Sequence, residues 1–177
     1  ISDSTGCIDI AIHPLNPDTV YAAMWERIRR PDRRSYGGPT CGIYRSTDGG
    51  ETWTELTNGI PNNLPTVGRI GISTTPATPN FVYAIYDDNI GYFAGVYKST
   101  NSGDSWTRTN DGALSNLFSS FGWWFGNIRA NPEIPHNVFV LGLDVYKTQD
   151  GGQTWVYASS SMHVDQHAMY IHPLNPN

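Results

Sequence analysis

One eight-residue pattern occurs three times in this chain and limits what the chain can fold into. Ser46 to Trp53 reads Ser-Thr-Asp-Gly-Gly-Glu-Thr-Trp, Ser99 to Trp106 reads Ser-Thr-Asn-Ser-Gly-Asp-Ser-Trp, and Thr148 to Trp155 reads Thr-Gln-Asp-Gly-Gly-Gln-Thr-Trp. Each copy places a hydroxyl residue first (Ser46, Ser99, Thr148), then Asp48, Asn101 or Asp150 two residues on. Gly50, Gly103 or Gly152 follows at four, and Trp53, Trp106 or Trp155 at seven. The short polar side chains accept hydrogen bonds from backbone N–H groups a few residues on. The glycines permit positive φ without a Cβ clash, and each Trp brings a large apolar face with one N–H to satisfy. The pattern describes a clamped turn that holds no acid, base or nucleophile.

Other signals recur in step with this turn. Ile8–His13, Arg69–Ile72, Asn127–Asn131 and Ala168–His172 are apolar segments leading into Pro14, Pro76, Pro132 and Pro173. Val20-Tyr21-Ala22, Val82-Tyr83-Ala84 and Val138-Phe139-Val140 follow the first three of these proline turns. Gly42-Ile43-Tyr44, Gly95-Val96-Tyr97 and Asp144-Val145-Tyr146 precede the clamped turns. Short runs rich in β-branched and aromatic residues between turn signals are strands. Four per unit, at a period of roughly 40–50 residues, predict an all-β β-propeller built from four-stranded antiparallel blades. Three blades are expected at about 7–57, 68–109 and 126–158, with a fourth beginning at about 165. Propellers usually close with about four to eight blades. About three and a half blades therefore predict a segment of a larger propeller, completed by remaining blades or by self-association. The first residue, Ile1 rather than Met, fits a processed or excised piece.

Composition narrows the function classes. A net charge of −5 gives nucleic acid no electrostatic footprint. No apolar run approaches the ~20 residues of a membrane helix. Two cysteines, Cys7 and Cys41, define no disulfide framework. A three-strand meander would set their strands roughly 9–10 Å apart, beyond ordinary disulfide reach unless the loops bend inward.

Function is expected in the irregular inserts on this regular scaffold. Glu26 to Thr40 contains Arg27, Arg29, Arg30, Arg33 and Arg34 against Glu26 and Asp32. Arg29 and Arg30 are candidate ligand-binding residues for a carboxylate-bearing polymer or a protein, through bidentate contacts; a solvated loop paired with its own acids is the other reading. Phe121-Gly122-Trp123-Trp124-Phe125 supplies Trp123 and Trp124, either as a sugar-stacking or protein-contacting platform or as inter-blade core. On a strand, His163, Asp165 and His167 would share one face. That set could bind a divalent metal, pair a base with a carboxylate, or form a polar network. Asp9 on an inner strand, Asp165 and His167 are the candidate catalytic residues.

The turn at Ser46–Trp53 resembles the Asp-box of bacterial neuraminidase repeats. Together with His13–Ala22 and Met162–Ile171 it is similar to secreted bacterial proteins of the sortilin-like and sialidase-like propeller class. The resemblance covers nearly the whole chain and implies an extracellular or cell-surface protein. It places the box on the outer rim, between third and fourth strands, away from any active site. The box is shared by sialidases, xyloglucanases, sortilin-type receptors and photosystem assembly factors. Sialidases carry a three-arginine carboxylate clamp; Arg69 and Arg129 sit on inner strands here, without an evident third. The expected function is a binding module for protein or polysaccharide. Alternatives are a glycoside hydrolase, with carboxylates partly outside this stretch, and a structural subunit of an extracellular assembly.

Overall fold

A computed structural model describes residues 2–173. The first sheet contains β1 (Thr5–Ile12), β2 (Val20–Glu26), β5 (Gly42–Ser46) and β6 (Thr54–Leu56). A two-stranded hairpin, β3 (Ile28–Arg29) and β4 (Arg34–Ser35), is inserted between β2 and β5. The second sheet contains β7 (Val67–Thr74), β8 (Val82–Asp88), β9 (Phe93–Ser99) and β10 (Thr107–Arg108). The third contains β11 (Asn127–Ala130), β12 (Val138–Leu141), β13 (Val145–Thr148) and β14 (Val156–Tyr157). Every pairing is antiparallel, and each sheet runs in chain order once the hairpin is set aside.

Period-2 alternation assigns side chains to two cores. Along β8, Val82, Ala84 and Tyr86 join Tyr21, Ile43 and Leu56 of the first sheet. Tyr83 and Ile85 point the other way, into a cluster with Ile128, Val138 and Val140 of the third. The middle sheet is thus buried on both faces, and its central strand reads as a continuous apolar run.

The three clamped turns share one geometry. Ser46 Oγ donates to Asp48 Oδ1 at 2.7 Å and accepts from Gly50 N–H at 2.8 Å. Asp48 Oδ1 accepts from Thr52 N–H at 2.9 Å, and the Trp53 indole donates to Gly50 O at 2.9 Å. Ser99, Asn101, Gly103 and Trp106 repeat the arrangement. Thr148, Asp150 and Gly152 repeat the side-chain part, whereas the Trp155 indole N–H is buried without a partner. Gly50, Gly103 and Gly152 adopt φ of +102°, +92° and +98°.

The large apolar faces of the three turn tryptophans are not buried alike. Trp106 and Trp155 are 5% and 7% exposed, but Trp53 is 43% exposed. Trp106 packs with the first sheet and Trp155 with the second, so each indole covers the sheet before its own. Trp53 has no preceding sheet among the described residues. It lies instead on an open apolar face with Ile10, Met24 and Tyr44. The stretch from 165, expected to open a fourth blade, forms no strand in the described residues, because no partner strand is present there to pair with it.

Candidate functional site

Meander topology sorts the loops by end. The clamped turns (third to fourth strand) and proline turns (first to second) fall at one end of each sheet. The β3–β4 insert, the 89–92 loop, the 142–144 loop and the inter-sheet connection 109–126 fall at the other. Backbone bonds stitch this second end together. Gly122 N–H donates to Gly91 O at 2.7 Å, and Leu143 N–H to Leu117 O at 3.0 Å. Asp165 N–H reaches Leu143 O at 3.0 Å.

These loops enclose a cleft of about 590 Å³, within the range of small-ligand sites. Arg27, Arg29, Arg34 and Tyr36 from the insert form one wall, and Phe121, Trp123, Trp124 and Phe125 the other; Leu143 and Asp165 complete it. The Tyr36 and Trp123 rings stack at 4.8 Å and 18°, joining the walls at their base. Trp25 Nε1–H donates to Tyr36 O at 2.7 Å and fixes the root of the insert. The Arg27 guanidinium lies 4.8 Å from the Trp25 ring and 5.7 Å from that of Tyr36, a cation–π arrangement. Arg69 Nη1 donates to Trp124 O at 3.2 Å, holding the aromatic loop from below. Trp124 and Phe121 remain 53% and 47% exposed, large apolar faces of the kind that mark binding surfaces.

Asp87 lies behind the aromatic loop. It is 1% exposed, and neither carboxylate oxygen has a hydrogen-bond partner. Gly122 approaches so closely that an added Cβ would sit 2.5 Å from Asp87 Cβ. Burial pushes the Asp87 carboxyl well above its ordinary range, opposed by the nearby Arg69 backbone N–H and guanidinium. Burial also lowers Arg69, whose Nε is unpartnered.

The chain matches no protein-family model. A Paenibacillus xyloglucanase is 27% identical across 178 aligned positions, 86% of this chain but 16% of that protein. An ancestral GH74 enzyme superposes with a TM-score of 0.69 at 20% identity, over 98% of this chain and 23% of its own. YCF48 bound to D1 peptide superposes with a TM-score of 0.55 at 15% identity, over 87% of this chain and 40% of its own. This chain is a β-propeller segment. It spans a small part of the curated relative and well under half of these solved structures.

Within the propeller, the sequence candidates divide. Arg29, Trp123 and Trp124 converge on the cleft. Arg30 does not line it; it lies just past the end of β3, and its backbone N–H closes the hairpin on Arg33 O at 2.9 Å. Asp9 bridges blades, accepting from Ile10 N–H at 3.0 Å and from Ile72 N–H at 3.0 Å, so both oxygens serve the fold. Residues 163–167 form no strand, and Asp165 has φ +79°, so the alternation that would gather His163, Asp165 and His167 does not apply. His163 Nδ1 donates to Val164 O at 2.7 Å. His167 Nε2 accepts from the Trp124 indole at 3.0 Å, and its ring stacks on Phe125 at 5.1 Å. Among the described residues no group of three His, Cys, Asp or Glu side chains is placed to hold a metal. Cys7 is exposed, Cys41 buried, and both are free. No helix among the described residues is long and apolar enough to cross a membrane.

Tyr36 was not singled out from sequence. A tyrosine inside a Gly- and Arg-rich insert was the available signal.

Proposed function

We propose that this segment is a polysaccharide-binding propeller module, with its ligand in the cleft between the arginine insert and the aromatic loop. The observation that carries this reading is the pairing, in one cleft, of exposed Trp124 and Phe121 faces with the Arg29 and Arg34 guanidinium groups. Sugar rings present apolar C–H faces that stack on aromatic rings, and polar edges that take hydrogen bonds. The three repeated turns are read as Asp-boxes, and the protein as secreted or cell-surface. Residues from 165 are read as opening a further blade, and the open Trp53 face as packing against another blade of a longer propeller. Calorimetric titration of a panel of plant and bacterial oligosaccharides tests the binding reading. Trp124→Ala is expected to weaken binding by ten-fold or more while leaving the unfolding midpoint in place. Equal affinity of the variant would remove the cleft from the site. Acrylamide quenching of Trp53 in the whole protein tests the packing reading; full accessibility there would overturn it.

A glycoside hydrolase is the second reading, favoured by one specific feature. Asp87 is a buried carboxyl pushed towards its protonated form beside the cleft, as glycosidase acids are. The relative named as a xyloglucanase points the same way. Release of reducing ends from xyloglucan by the whole protein, lost in Asp87→Asn, would support it. Turnover unchanged in that variant would exclude Asp87 as the acid.

A further inference from the structure

We propose that the polysaccharide held by the cleft is acidic, with uronic-acid carboxylates seated between Arg29 and Arg34. The proposal rests on the saccharide reading above and specifies the ligand's charge. Its first support is register. Arg29 and Arg34 are direct cross-strand partners in the β3–β4 hairpin. Like charges opposite one another are destabilising, with Cβ atoms about 4.5–5.5 Å apart. This hairpin has only two residues in each strand, so few other contacts offset the repulsion. A carboxylate between the two forks converts that repulsion into two charge-assisted attractions.

The local charge is not neutralised from within. Five arginines face two acids between Glu26 and Arg34, on a chain whose net charge is −5. The Glu26 carboxylate turns away, accepting from the Thr40 hydroxyl at 2.7 Å and from Thr40 N–H at 3.3 Å. The ion pairs among the described residues, Arg45 with Asp104 and Arg108 with Asp111, lie elsewhere. Arg27 adds a third positive charge to the wall, with its Nε buried and unpartnered. Asp165 is the one acid among the lining residues, so arginine outnumbers carboxylate three to one there. The aromatic wall favours a ring-shaped polyanion over an acidic peptide. A uronate ring offers an apolar face to Trp124 and a carboxylate edge to the guanidinium groups, whereas a glutamate side chain offers only the carboxylate.

The test is calorimetric titration of the chain with four probes: hexagalacturonate, its fully methyl-esterified form, a neutral xyloglucan heptasaccharide, and poly-glutamate. Hexagalacturonate is expected to bind at least ten-fold more tightly than its methyl ester. That gap should narrow as salt rises from about 50 to about 200 mM, because screening strengthens. The ester comparison needs no protein variant and so does not depend on folding. Arg29→Lys with Arg34→Lys keeps the charge but loses the fork, and should weaken hexagalacturonate several-fold. Arg29→Glu with Arg34→Glu should abolish its binding while leaving the unfolding midpoint within a few degrees. Equal binding of acid and ester would overturn the acidic ligand and leave saccharide binding standing. No binding of any saccharide, acidic or neutral, would overturn both. Poly-glutamate binding more tightly than hexagalacturonate would overturn the saccharide in favour of an acidic protein.

Discussion

The equivalent tryptophans of the three turns should differ sharply in what their loss costs. Fully burying an aromatic side chain removes about 150–250 Å² from water. At about 25 cal/mol per Å², that contributes about 4–6 kcal/mol, an upper bound because the unfolded chain already hides part of the area. Trp106 is 5% exposed and realises nearly all of it; Trp53, at 43%, realises little more than half. Truncating Trp106 also leaves a cavity between the first two sheets and strips Gly103 O of its indole donor. Truncating Trp53 leaves a surface that water fills. Trp106→Ala should therefore destabilise the chain by about 4–5 kcal/mol and Trp53→Ala by about 2 kcal/mol. Urea unfolding with both variants reads the difference. For a slope of about 2 kcal/mol per molar, their midpoints should sit about 1 M apart or more. Trp155 supplies an internal control, since its indole N–H is buried without a partner. Trp155→Phe should be milder than Trp106→Phe by about 1 kcal/mol, because only the latter orphans an acceptor. If Trp53→Ala costs as much as Trp106→Ala, the account of indoles packing on the preceding sheet is wrong.

Two pH dependences follow from the carboxylates. Asp87 is held above its ordinary range by burial, so its contribution to stability is full below about pH 3.9 and lost as pH rises towards its folded value. Asp87→Asn should match the parent near pH 4 and exceed it at pH 7, read as urea midpoints; parallel curves would refute this. Asp48 is lowered to about 2 by hydrogen bonds from Thr52 and Ser46, and Asp150 is lowered by Thr154 and Thr148. Their contributions are present above about pH 4 and lost as pH falls towards 2. Asn101 already fills this place in the second turn, so Asp48→Asn with Asp150→Asn should fold and lose less stability between pH 4 and 2. A steeper acid loss in the double variant would count against the turn geometry.

The turns and blades were legible because their chemistry is local. Every bond within the clamp joins residues two to four apart, so spacing alone displays it. Exposure of Trp53 was not legible, since it depends on which sheet packs against it. The inserts stood out as irregular, but residue type alone does not distinguish Arg29, on the cleft wall, from Arg30, which lies past the end of β3. The alternation expected of His163, Asp165 and His167 presupposes a strand, and residues 163–167 form none. The burial of Asp87 was not legible, because acids near loops are usually solvated. Its burial comes from close approach of Gly68 and Gly122, two residues whose missing side chains make room for the carboxyl.

The contrast between the clamped-turn end and the cleft end follows from where hydrogen-bonding capacity is left over. In the clamped turns the polar groups find partners within a few residues, the Trp155 indole N–H excepted. Asp48 accepts from Ser46 and Thr52, and the indole of Trp53 from the same turn donates to Gly50 O. Such a turn has little with which to grip a ligand. The opposite end is different in kind. Of nine buried side-chain atoms without a partner among the described residues, four belong to Arg27, Arg69 and Asp87, beside or beneath the cleft. Each unsatisfied buried polar group costs about 1–3 kcal/mol, a large share of a net stability of about 5–15 kcal/mol. A fold under selection for stability alone would remove them. Four such atoms beside one cleft are the kind of local conflict that a site shaped for something other than folding carries.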